Sequence, residues 1–288
     1  FGAGASTGET AVNATAIGTN ANALGVSSIA FGTGVSTGET ALNSAAIGTN
    51  IQVQGESSYA IGSNIKILEG EGIAALGSGN KNITGNSNIL IGEDAVNTSG
   101  SENILQGKTV NNTGSYNLLL GNNVNNLGDA NIALGNNSGI TGFSGSLSSS
   151  KGNIAIGNYA GVAGGSGNIS MGNLAGTAGG IGNISIGNEA ANTVGSTGAI
   201  AIGNLANNIG SAGSIALGNA AEAGAAAGVI ALGNAAFTGA AEGAIAIGNK
   251  AIVGVSGKKI GAGSIAMGNA AIAKNGDNQI AIEKKVQV

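Results

Sequence analysis

A three-residue aliphatic segment closing on glycine recurs eighteen times in this 288-residue chain, from Gly2 and Gly18 to Gly248 and Gly268. Fifteen of the seventeen spacings between successive anchors are 14, 15 or 16 residues. Ile280-Ala281-Ile282 repeats the segment once more, with Glu283 in the glycine's place. A period this short holds neither a helical hairpin nor a propeller blade. It holds one coil of a β-solenoid, whose coils each depend on their neighbours for burial.

Composition narrows the alternatives. The 56 glycines come without proline and without a Gly-X-Y phase, which sets collagen aside. Ile, Leu and Val return in register, a pattern that disordered tracts lack. Four Phe, three Tyr and no Trp imply an interior too thin for large rings. A net charge of −4 gives no basic stripe for nucleic acid. No window offers eighteen uninterrupted apolar residues, and Glu222, Asn234 and Glu242 break the alanine-rich stretch 219–248. Opening on Phe1 without a charged leader, the chain is expected to be a segment of a longer protein.

Within a coil, the strand carries Ile or Leu at its outer positions and Ala or Ser at its centre, as in Ile154-Ala155-Ile156 and Ile169-Ser170-Met171. Strand alternation puts the outer pair on one face and the centre on the other. The bulky pair is expected to fill the coil, leaving the small residue for close approach of another backbone; the opposite orientation stays open. A second glycine, such as Gly25, Gly85 or Gly114, often stands seven residues before the anchor, as two tight turns with positive φ require.

Asparagine is periodic as well. Asn158, Asn173, Asn188 and their successors follow anchors, whereas Asn88, Asn103, Asn117, Asn131, Asn153, Asn168 and Asn183 open strands. Stacked coils turn each column into an amide ladder. The absence of proline fits coils that all donate N–H groups to a neighbour. Segments 1–30 and 31–60 are near-copies, a duplication that lengthens a solenoid.

Two breaks interrupt the period. An insertion near 137–151 carries Phe143, Ser144 and Leu147, and another near 253–261 carries Lys258 and Lys259. Insertions leave a solenoid as loops and are the usual place for binding. Phe143 reads either as a partner's anchor or as a cap folded onto the roll. Phe237 reads as an exposed apolar spot or as a larger core filler. Lys258 and Lys259 suit an acidic partner, or simply a solvated loop tip.

Chemistry finds little purchase. Gly107-Lys108-Thr109 resembles the end of a phosphate loop, but Glu102 stands where its first glycine belongs. Without histidine or cysteine, histidine-dependent triads and most zinc sites are excluded. Asp94, Asp129 and Asp277 are too few for a calcium-binding roll. The pairs Glu69/Glu71 and Glu93/Asp94 read as solvated turn residues. An ice-binding threonine array starts at Thr19, Thr33 and Thr49 and ends at Ser63. A polysaccharide-cleaving solenoid would need acids gathered across adjacent coils. No catalytic residue, metal or cofactor is expected.

Strands such as Asn153-Ile154-Ala155-Ile156-Gly157-Asn158 and Ser264-Ile265-Ala266-Met267-Gly268-Asn269 resemble the head repeats of YadA-like trimeric autotransporter adhesins, and the likeness covers essentially the whole chain. It implies an all-β fold, a left-handed parallel β-roll over 1–282 assembled as a homotrimer, with 283–288 beginning a neck. It further implies a non-enzymatic head on the surface of a Gram-negative bacterium, anchored in the outer membrane through a C-terminal region that this segment lacks. The partner would be a host cell-surface glycoprotein or an extracellular-matrix protein. The competing expectation is a structural spacer, or an autoaggregation and biofilm module without a specific receptor. Asparagine-rich turns and the two insertions depart from the family pattern.

Overall fold

The structure, a computed structural model, describes residues 1–141, 150–193, 196–209, 212–255, 261–274 and 276–283. Among these it has thirty-four strands and no helix. The chain divides into two compact units, Phe1–Asn137 and Ser138–Val288. Each is a parallel β-solenoid with two strands per coil.

In the first unit, strands Ile104–Thr113 and Leu118–Leu127 pair in parallel with Ile104 on Leu118, Gly107 on Gly121 and Asn112 on Asn126. In the second, strand Ile169–Met171 pairs with Ile184–Ile186, and strand Gly176–Thr177 with Ala191–Asn192. The repeat read from the sequence is therefore the structural repeat, with equivalent residues stacked one coil apart.

The centre of the first strand points inward. Ala60, Leu90, Leu105, Ala155, Ser170, Ala201 and Ala246 are all 0 % exposed. The outer pair points away from the coil, with Ile61 at 47 % and Leu76 at 40 % exposure. This corrects the expected assignment of faces: the small residue fills the coil and the bulky pair lies outside. The reason is volume. Four side chains converge inside one coil, Asn103, Leu105, Val110 and Asn112 in one instance. That space has no room for two further isoleucines at native packing density.

The two interiors differ. In the first unit Ile51, Ile65, Ile67, Leu90, Leu105 and Leu119 fill the coils. In the second, alanine takes over, with Ala216, Ala221, Ala223, Ala231 and Ala236 in one cluster with Val229 and Val253.

Asparagine completes the first unit's interior. The Asn103 backbone N–H and side-chain amide donate to Asn88 Oδ1 at 3.0 and 2.9 Å, and its amide also donates to the Gly114 carbonyl at 2.9 Å. Asn103 Oδ1 accepts in turn from the backbone N–H of Asn117 at 2.9 Å. A second buried column, which the sequence reading did not single out, runs through Asn97, Asn112 and Asn126, each amide donating to the oxygen one coil before. Asn103→Leu is expected to cost about 2 kcal/mol, since it strands the buried Asn117 N–H, whereas the Gly114 carbonyl keeps the Asn112 amide as its donor. Urea unfolding read by circular dichroism checks this.

Not every amide is so well served. Asn192 and Asn208, stacked in register in the second unit, are 1 % and 0 % exposed, and neither Oδ1 accepts a hydrogen bond. Their Nδ2 groups donate to the carbonyls of Ile184 and Ile200.

Turn glycines meet two distinct demands. Gly172 has φ +136°, and a Cβ there would fall on the Gly187 carbonyl oxygen. Gly25 has no positive φ, yet a Cβ would meet the Ala41 carbonyl, so close approach alone keeps it glycine. Gly55 departs in the same way, whereas Gly70, Gly85, Gly100 and Gly114 in the same column take φ between +104° and +123°, as the turn reading expects.

Both breaks in the period leave the register intact. Thr141 and Ser150 flank the first insertion, and the Ser150 hydroxyl lies 3.5 Å from the Thr141 carbonyl. Strand Gly139–Thr141 pairs with Gly161–Ala163 across it. At the second, Ile245 still pairs with Ile265 and Ile252 with Ile272.

Candidate functional site: the outer strand face

The inward turn of the small residues leaves an outward pair on each first strand, apolar in all but the strands of Thr15 and Gln106. In the first unit the stripe runs through Ile29, Phe31, Tyr59, Ile61, Leu76, Ile89 and Ile104, between 37 % and 52 % exposed. In the second it is isoleucine throughout on one column, from Ile154 to Ile280. The neighbouring column mixes Ile, Met and Leu, with Met171, Leu217, Leu232, Met267 and the terminal Ile282 the more exposed members. The second unit's stripe alone is on the order of 1,000 Å², above the few hundred Å² that a monomer ordinarily leaves exposed. No charged residue interrupts either column between Ile17 and Ile282.

Polar columns border it. The position after each anchor carries the amide ladder expected from the sequence, Asn158 donating to Asn173 at 3.1 Å and Asn173 to Asn188 at 2.9 Å. It continues through Asn204, Asn219, Asn234 and Asn249 to Asn269. In the first unit the same column holds the ion pair Lys108–Glu93 at 3.2 Å, with both side chains more than half exposed. Water and salt screen such a pair, so it adds little stability.

One residue further on, the backbone takes φ near +55° in coil after coil. Asn50, Asn64, Asp94 and Asn123 occupy this corner in the first unit, and Tyr159, Leu174, Glu189 and Leu205 in the second. The first set tolerates a left-handed backbone; Leu and Tyr do so at a cost. Tyr159, Leu174 and Leu205 are 55 %, 49 % and 48 % exposed. Their sequence gives no turn signal, and only the fixed distance from the anchor marks them.

The structure separates the residues expected to bind. Phe143, Ser144, Leu147, Lys258 and Lys259 lie outside the described residues. Phe237 is half-buried on the outside of strand Phe237–Thr238, between the inward-pointing Ala236 and Thr238, and is not a core filler. It stacks between Glu222 and Ile252. The cleft beside it measures about 80 Å³, well below the volume of a small-molecule pocket. A depression of about 380 Å³ near Ala226 and Ala241 offers Glu242 as its one ionisable side chain. Glu69, Glu71 and Asp94 are exposed, and no group of three or more metal-binding side chains gathers among the described residues.

Comparison with known proteins returned no matching family model and no matching curated protein.

Proposed function

We propose that this chain is a non-catalytic adhesin head that self-associates through its outer strand face and presents its loops to a host surface protein. The observation that carries this reading is the exposed apolar pair, repeated coil after coil without a charge. A solenoid of alanine-filled coils buries little apolar area per residue, and a partner along the stripe adds burial at every level. A copy of the chain fits best, because it brings the same coil spacing and the same uncharged surface. A cyclic arrangement with parallel coils matches equivalent levels of each copy, and the repeats' resemblance to YadA-like heads favours three copies, a left-handed roll and display on a Gram-negative outer membrane.

The insertions are the preferred place for a receptor. Outside the apolar stripe the coils present nearly the same small polar surface at each level, whereas the insertion near 137–151 supplies Phe143 and Leu147 within a glycine and serine frame. An anchor of this kind contributes about 2 kcal/mol when buried in a partner's pocket. The test is a capture experiment with the assembled protein against human cell-surface and matrix proteins, repeated after deletion of 142–149. Loss of a captured partner on deletion, with an unchanged melting temperature, supports a loop-borne receptor site. Capture that survives the deletion sinks that assignment. A protein that captures nothing, yet clusters coated beads, fits the spacer or autoaggregation reading, which the uniformity of the coils favours.

A further inference from the structure

A stripe with this regularity creates a problem of its own. Coils stack at about 4.8 Å, and in the second unit each presents nearly the same apolar pair, so there two copies sliding past each other by one coil lose almost no contact. In the first unit side-chain size varies, from Ala45 and Ala74 to Phe31 and Tyr59, a steric signal that repacking can absorb. Solenoid faces that meet homotypically therefore need a feature that distinguishes one level from the next.

Gln106 supplies a polar one. It stands in the column occupied by Ile17, Phe31, Ile47, Ile61, Leu76, Ile91, Leu120 and Leu134 in the other coils of the first unit. In register it lies between Ile91 and Leu120, with Ile104 beside it on the same strand. Its side chain is exposed and makes no hydrogen bond with the described residues, although its strand neighbour Leu105 is fully buried. From Ile17 to Ile282 no other polar residue enters this column.

We propose that Gln106 sets the axial register of the self-associated protein, a role that rests on the association proposed above. In a cyclic assembly with matched levels, copies of Gln106 meet. A primary amide both donates and accepts, so each side chain donates to the next copy and accepts from the one before. After a slip of one coil, the amide faces Ile91 or Leu120 of its neighbour and is buried without a partner. A single buried asparagine fixes register and oligomer state in coiled coils by the same logic, at some cost in stability.

The test uses the chain's lack of cysteine. Glu71→Cys places one spin label on an exposed turn of the first unit, and pulsed electron resonance reads distances between copies. The parent protein is expected to give one narrow distance. Gln106→Leu is expected to give several populations while the assembly melts no lower than the parent. Adding Leu120→Gln to Gln106→Leu moves the amide to the next coil and is expected to restore a single distance. A narrow distance that persists in Gln106→Leu overturns the register role and leaves self-association standing. Failure of the relocated amide to narrow the distribution also overturns it. A labelled parent that sediments as a monomer overturns both the register role and the association it depends on.

Discussion

Gly172→Val is expected to destabilise the second unit by about 3 kcal/mol or more, because it meets two independent obstacles at once. At φ +136° the backbone occupies a region that a β-branched residue almost never enters, and the new Cβ would overlap the Gly187 carbonyl oxygen. That carbonyl belongs to the equivalent anchor of the next coil, so the clash cannot be relieved by rotating a side chain. In a solenoid the damage should spread first to the neighbouring coils, since stability there is a sum of coil and nearest-neighbour terms. Hydrogen exchange is the sharper readout: amides of strands Ile154–Ile156 and Ile184–Ile186 should lose protection ahead of those near Ile245–Ile247. A circular dichroism melt matching wild type would remove the steric argument for the whole anchor column.

The anchor column is also the clearest case of what the sequence discloses. Spacing alone located the coils, because a backbone that only glycine can adopt must recur wherever the coil turns. Two of the asparagine columns were legible for the same reason: stacking converts a period in sequence into a ladder in space, and Asn158 to Asn269 realise one. The buried column of Asn97, Asn112 and Asn126 is too short to stand out as a period.

Orientation was not legible. Ile154-Ala155-Ile156 says that two faces differ, but alternation does not say which is inside, and the habit of placing large residues in the core pointed the wrong way. Ser170 and Ser185 held a usable signal. Small hydroxyls at a strand centre suit a narrow interior with backbone carbonyls close by, and they donate to the carbonyls of Ala175 and Gly176. The left-handed corners at Leu174 and Leu205 were hidden for a different reason. Local propensity opposes that conformation there, and the stacked coils impose it. As for the site, the stripe's residues were all visible in the sequence as core, and the fold made them surface.

The largest functional effect is expected from that same stripe. Ile186→Asp together with Ile202→Asp places two carboxylates on adjacent levels, at positions paired in register. Both side chains are only partly buried in the single chain, and Ser185 and Ala201 face the interior, so the coil itself should fold as before. In an assembly the carboxylates would be packed against their own copies in an uncharged seam. An unpaired charge removed from water costs about 3–5 kcal/mol, and like charges facing each other add to it. Self-association should therefore weaken by more than about a hundredfold, since each 1.4 kcal/mol is a factor of ten. Phe237→Asp, on the outside of the other strand, is expected to leave association unaltered, because that column already carries Glu222 beside it. Sedimentation equilibrium over a concentration series, paired with circular dichroism of each variant, separates the outcomes. A doubly substituted protein that keeps its fold and its assembly would move the interface off the isoleucine face altogether. Full dissociation with an intact fold would make the stripe the surface on which everything else proposed for this chain is built.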